Sequence, residues 1–280
     1  MRKAPRGMVA HALAGLWLGL VLMSGPAMAD RAGDVERLIT ALRFDDTIKI
    51  MRQEGMRYGG EVGLEMLSEG ERGRWSEVVA GVYDGAVMRA QVKEGFVAAL
   101  DGVDPAPLVA FFEGQGREIV ALELAARKSL LDPEIETAAQ ALYDQMAKDG
   151  DALVERVEVF IDDSDLIERN VTGALNANLV FYTGLADGGA LDLPQEEMLA
   201  DIWAQEEDMR AQTGTWLRSF LVMAYQPLAR DKLEAYIALY QSPAGRDLNR
   251  ALFAAYDSMY EDLSYKLGFA VAIHMLGEDL

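Results

Sequence analysis

Apolar residues recur three and four positions apart along almost all of the chain beyond residue 30, and hardly any stretch alternates as a strand would. The pattern predicts a first helix over about 35–55, with Leu38, Ile39, Leu42, Ile48 and Met51 inward. Glycines then break the stretch 59–73, leaving room for a short helix at 62–67. Helix returns over 75–100 and, after the turn Gly102-Val103-Asp104-Pro105, over 106–131 and 133–160. Asp132-Pro133 is a strong start signal, since a side-chain acceptor precedes a proline at the first helical position. Asp162, Asp163 and Asp165 are expected to cap a helix over 166–185, and Gly184 to Pro194 reads as the main internal linker. Helices resume over 195–224, 230–240 and 244–275; residues 269–276 are apolar nearly all round apart from His274. Such a segment is central to a core or covered by a partner.

A repeat lies within this pattern at a spacing of 129 residues. Phe111 matches Tyr240, Gly116-Arg117 matches Gly245-Arg246, and Ile119 matches Leu248 without a gap. Ala125-Ala126 and Ala254-Ala255 continue the register, while Val92 and Phe96 pair upstream with Leu221 and Tyr225. The fold expected is all-α, an antiparallel bundle-like domain of two related helical modules, 30–185 and 186–280.

The start of the chain has a different pattern. Arg2, Lys3 and Arg6 precede an apolar run from Val9 to Met23, Gly25-Pro26 breaks it, and Ala27-Met28-Ala29 offers the small residues of a cleavage site. Residues 1–29 therefore read as a secretory signal peptide, which implies a periplasmic protein with no membrane insertion once the leader is removed. The leader holds three of the 26 basic residues and none of the 46 acidic ones, so its removal takes the net charge from −20 to −23. That charge repels phosphate backbones and argues against nucleic acid as a partner. The chain has no cysteine, and His274 is the only histidine beyond the leader. Thiolate catalysis, disulfides and nitrogen- or sulfur-rich metal sites are thereby removed, and nothing in the sequence asks for a cofactor.

The stretch Tyr236-Ile237-Ala238-Leu239-Tyr240-Gln241-Ser242-Pro243-Ala244-Gly245-Arg246 resembles the signature of the family known as domain of unknown function 2059. Tyr240, Ser242, Pro243, Gly245 and Arg246 carry the likeness; the earlier copy keeps Phe111, Gly116 and Arg117 but has Glu113 and Gly114 in place of the Ser-Pro. The likeness covers only about 50 residues around the second copy. It implies an exported helical protein without an established activity and supplies no catalytic residue. The residues themselves suggest a structural corner: Ser242 caps a helix, Pro243 suits its first turn, and Gly245 admits a close aromatic neighbour. Arg117 and Arg246 are expected to pair with nearby carboxylates. Alternatively Ser242 and Arg246 form an anion-binding helix start.

Asn170, Asn176 and Asn178 are unusual inside a helix, and Asn170, Asn178 and Tyr182 fall roughly on one face, as a polar groove between the modules would need. Two acidic clusters, Asp162 to Glu168 and Glu206 to Asp208, invite comparison with a hydrolytic carboxylate pair or a calcium loop, but both read as solvated helix starts. Trp203, in a very acidic helix, is the tryptophan expected to be exposed. The leading function is therefore a non-catalytic binding or accessory protein acting on an envelope protein or small ligand. A carboxylate hydrolase of an envelope polymer is one alternative, and a homo-oligomer joined through Phe269, Ile273 and Leu276 is another.

Overall fold

The computed structural model describes residues 26–277 apart from residue 71, and every regular element among them is a helix. The leader expected over 1–29 lies outside the described residues, except for the backbone of 26–29 at the start of α1. The first half comprises α1 (Pro26–Ala41), α2 (Phe44–Met66), α3 (Trp75–Val82), α4 (Gly85–Ala99), α5 (Ala106–Glu113) and α6 (Gly116–Ser129). After α7 (Pro133–Lys148) come α8 (Ala152–Asp163), α9 (Leu166–Asp187), α10 (Gln195–Trp203), α11 (Glu206–Tyr225), α12 (Arg230–Gln241) and α13 (Pro243–Met275).

Several breaks fall where periodicity alone predicts none. The stretch 75–100 divides at Asp84, whose carboxylate accepts from the amides of Ala86 and Val87 and so starts α4. The stretch 133–160 divides at Gly150, whose φ of 67° suits the left-handed region, and Asp151 caps α8 through Leu153 N. Arg43 and Asp165 turn the chain at the α1–α2 and α8–α9 corners with φ of 55° and 52°. Asp165 occupies the N-cap of α9 but makes no side-chain cap, contrary to the expectation for that acidic run. Asp132 does cap α7 as its sequence suggests.

The first part of the glycine-broken stretch, residues 59–66, is instead the continuous end of α2, and turns begin only at Leu67. Gly55, Gly59 and Gly63, four residues apart, form a stripe on one face. A Cβ there would lie 2.2 Å from the Tyr83 ring, 2.6 Å from Val79 and 2.1 Å from Trp75. The glycines thus permit close packing of α3, and Trp75 Nε1 donates to the Gly59 carbonyl at 2.8 Å. Gly184 and Gly188 likewise belong to α9 and its end, not to a loop. A Cβ on Gly184 would meet Tyr265 O at 2.3 Å, and one on Gly268 would meet Phe181 O at 2.1 Å. Backbone-to-backbone approach holds α9 against α13 over most of their shared length.

The repeat is visible in burial. Met88, Val92, Phe96, Ile119, Ala126 and Leu130 are buried, as are Leu217, Leu221, Tyr225, Leu248, Ala255 and Met259, each 129 residues on. It also extends upstream with a spacing of 122: Val35, Leu38 and Arg43 stand where Val157, Phe160 and Asp165 do. The corner bonds correspond, Leu42 N to Leu38 O and Arg43 N to Thr40 O against Ser164 N to Phe160 O and Asp165 N to Asp162 O. Helices α1–α6 and α8–α13 therefore follow one plan, with α7 between them. The halves interlock, since α4 packs on α13 and α11 packs on α6. One apolar cluster, from Val35 to Ala272, draws on both segments 30–185 and 186–280.

The end of α13 is apolar all round because it is the spine of this cluster. Leu267, Ala270, Val271 and Ala272 are buried, Phe269 and Ile273 are half-buried, and Leu276 is exposed beyond the helix end. No helix among the described residues is long and apolar enough to cross a membrane.

Candidate functional site

The Ser-Pro-x-Gly-Arg corner joins α12 to α13. The Ser242 hydroxyl donates to Leu239 O at 2.6 Å and accepts from Gly245 N at 3.1 Å, so it closes one helix and opens the next. Pro243 takes the first helical position. A Cβ on Gly245 would lie 2.0 Å from Leu239 O, which leaves glycine as the residue that fits. In the first copy, a Cβ on Gly116 would lie 2.7 Å from the Phe111 ring. The arginines act differently from expectation: Arg117 donates to the Glu113 carbonyl at 3.0 Å and Arg246 to the Gln241 carbonyl. Each caps the unsatisfied carbonyl end of the preceding short helix, and Arg117 also helps, after Arg37, to hold the Glu113 carboxyl below its usual range.

Tyr240 is buried beneath this corner, in an aromatic cluster centred on Tyr236. The Tyr236 ring lies 4.9 Å from Tyr240, 5.3 Å from Phe160, 6.1 Å from Phe111 and 6.2 Å from Tyr225. Glu123 of α6 projects into this cluster and accepts from the Tyr225 hydroxyl at 2.6 Å. Burial pushes its carboxyl up to about 7, against the opposing effect of the tyrosine hydrogen bonds. Asp257 of α13 is also raised, to about 6, by burial and by the neighbouring Glu261. These two lie on different helices against different partners, and neither lines the surface cavity of Trp216 or that of Arg37.

The two acidic clusters of the sequence meet through one cation. Arg210 donates to Glu168 and to Glu206, at 2.8 Å each, while Asp163 accepts from Gln241 at 2.6 Å. No group of three potential metal ligands converges among the described residues. His274 is buried, its Nδ1 3.0 Å from Ala270 O and its ring edge-on to Trp75 at 5.2 Å.

A groove of about 670 Å³ runs between α7, α9 and α11. Asn170 lines it, with Gln140, Gln212, Thr213, Thr215 and Trp216. Asn178 and Tyr182 do not; Tyr182 instead packs on the small cluster of Val171, Leu175 and Ile202 between α9 and α10. Asn170 donates to Leu166 O at 2.7 Å, which ties its amide nitrogen and leaves its oxygen available. Thr215 and Ser219 donate to carbonyls of their own helix and so present oxygen acceptors. Gln140, Gln212 and Thr213 form no side-chain hydrogen bond to other described residues. Trp216 is stacked on Phe220, ring centres 5.0 Å apart and planes 14° from parallel, which fixes the indole in the groove wall. Glu136 is the one charged residue of the lining.

Trp216 is half-buried, packed against the main core while it lines the groove, and neither it nor Gln212 and Thr213 is singled out by periodicity. The polar uncharged run Gln212-Thr213-Gly214-Thr215, which follows the charged first turns of α11 and has weak helical propensity, is the available signal. Trp203 is 59% exposed, as its acidic setting suggested. Searches of family models, curated proteins and solved structures returned no match to this chain.

Proposed function

We propose that this is a periplasmic, non-catalytic binding protein whose groove between α7, α9 and α11 takes a neutral polar ligand, of which a short saccharide fits best. The observation that carries this reading is the lining itself. In a chain with 26% charged residues, a 670 Å³ groove with a single carboxylate departs from the general surface. Amides, hydroxyl acceptors and one fixed indole are the groups that recognise sugars, by hydrogen bonds to hydroxyls and by stacking against the apolar ring face. The basic and apolar leader with its Ala27-Met28-Ala29 site supports export to a compartment rich in glycan. The carboxylate-hydrolase alternative draws no support from Glu123 and Asp257, the two carboxyls raised by burial, because they lie on different helices and line neither this groove nor the cleft of Arg37 and Arg117.

The test is an NMR titration of residues 30–280 with N-acetylglucosamine oligomers, following the Trp216 indole and the Gln140 and Gln212 side-chain amides. Saturable shifts confined to these groups, lost in Trp216→Ala, are expected. Shifts absent at every oligomer length, or unchanged by Trp216→Ala, refute the assignment.

A further inference from the structure

The other large opening is a cleft of about 460 Å³ between α1, α5 and α6. Three guanidinium groups, Arg37, Arg43 and Arg117, meet there in a chain whose charge is otherwise strongly negative. Two are held in place by carboxylates on the rim. Arg37 makes a bidentate pair with Glu113 and a further bond to Asp34 at 2.9 Å. Arg43 grips Asp46 through Nε at 2.9 Å and Nη2 at 2.7 Å. Arg117 spends only Nη2, on the Glu113 carbonyl. Its Nε and Nη1, and Nη1 of Arg43, form no hydrogen bond to other described residues.

The repeat supplies an internal comparison. In the matching corner of the second half, between α8, α12 and α13, Asp165 stands for Arg43, Val159 for Arg37, and Asp163 for Ala41. Gln241 stands for Phe112, and it donates to Asp163 at 2.6 Å where Phe112 and Ala41 line the open cleft. One plan has thus produced a corner bridged by a hydrogen bond on an acidic surface, and another left open and lined by arginines. Arg246, the counterpart of Arg117, likewise donates to the carbonyl end of the preceding helix, at Gln241, and lines neither this cleft nor the groove.

We propose that the α1/α5/α6 cleft binds a small organic monocarboxylate, clasped by Arg117 and Arg43 against the fixed wall of Arg37. Counted with the groups paired to the lining, Arg37, Arg43, Arg117, Lys49 and Lys93 stand against Asp34, Glu36, Asp46 and Glu113, which leaves about one positive charge to be met and suits a singly charged carboxylate better than phosphate. Thr40 and Ala41 give the ligand's short carbon chain a surface without charge. This site is separate from the saccharide groove and does not depend on it.

Calorimetric titration with butyrate, with inorganic phosphate and chloride as comparators, tests the proposal. Saturable butyrate binding is expected, weakened about tenfold or more in Arg43→Gln and in Arg117→Gln and unchanged in Arg246→Gln and Trp216→Ala. Ala41→Asp, which places the second half's carboxylate in the open cleft, should abolish it while leaving the far-UV spectrum and the thermal midpoint close to wild type. Because Arg117 also closes α5, Arg43→Gln and Ala41→Asp keep the test decisive if Arg117→Gln unfolds. No saturable butyrate binding, binding matched by chloride, or a loss in Arg246→Gln equal to that in Arg43→Gln overturns the proposal. Tighter binding of phosphate than of butyrate overturns the monocarboxylate assignment.

Discussion

Glu123 offers the sharpest perturbation of this fold. Its counterpart 129 residues on is Leu252, so a carboxyl occupies a position that the other half keeps apolar. The groups facing it are the hydroxyls of Tyr225, on α11, and of Tyr236 and Tyr240, on α12, all held neutral because burial raises their own titration. On its own helix Arg127 is engaged by Glu54 and leaves Glu123 without a counter-charge. The rise from 4.5 to about 7 corresponds to roughly 3 kcal/mol between protonation states. The sign follows from linkage: between pH 4.5 and about 7 the folded protein holds a proton that the unfolded chain has released, so stability falls as pH rises through that window. Above about 7 both states are ionised and the folded one bears the whole desolvation penalty. Glu123→Gln keeps the acceptor for Tyr225 and removes the charge. Urea unfolding followed by circular dichroism from pH 4.5 to 8 should show the variant close to wild type at the acid end and about 2–3 kcal/mol more stable at pH 8. Asp257 contributes with the same sign in both proteins and cancels in the difference. A difference that does not change with pH would refute the reasoning, because it would mean that the carboxyl is equally ionised in folded and unfolded chains.

Other consequences follow from the packing. Gly59→Ala should destabilise by about 1–3 kcal/mol through collision with Val79, whereas Gly60→Ala, with nothing near its Cβ, should stabilise by up to about 1 kcal/mol; paired thermal melts distinguish them. Glu54→Ala leaves the largely enclosed Arg127 without its bidentate partner and should lower unfolding free energy by roughly 2–3 kcal/mol, measured by urea titration. Ser242→Ala removes the cap of α13 and should cost about 1 kcal/mol by the same measurement, with faster amide exchange in the first turn of that helix.

The helical class, the inward faces and the duplicated corner were legible because each depends on local spacing. Phe96 and Tyr225, or Ile119 and Leu248, are buried at the same register because one periodicity serves both halves. Glycine was read less well. The glycines of 59–73 read as breaks when the chain is considered alone, yet Gly55, Gly59 and Gly63 at a four-residue spacing make a flat stripe for a neighbouring helix. Only the position of Trp75, Val79 and Tyr83 decides between the two, and that is tertiary information. The capping aspartates Asp84 and Asp151 were present in the sequence, but their weight was lost within strong apolar periodicity on either side. The groove escaped for a similar reason. Asn170 could be singled out on α9, but Gln140 and Trp216 reach the same space from α7 and α11, a neighbourhood no single-helix pattern contains.

The duplication also bears on how function is distributed. If the two halves were held only by the needs of the core, their surface corners would drift without pattern while their interiors stayed alike. The interiors do stay alike, with Val35 and Val157, or Leu130 and Met259, buried in step. The surfaces have instead diverged in kind: one corner gathers Arg37, Arg43 and Arg117, and the other Asp162, Asp163 and Asp165. The groove between α7, α9 and α11 has no such twin, because α7, which supplies Gln140 and Glu136, is the helix outside the repeat. A shared scaffold thus leaves room for two chemically distinct openings, one built by altering a repeated corner and one by adding a helix. Removing charge from the arginine corner should therefore leave the groove's ligand affinity intact, since the two share no lining residue.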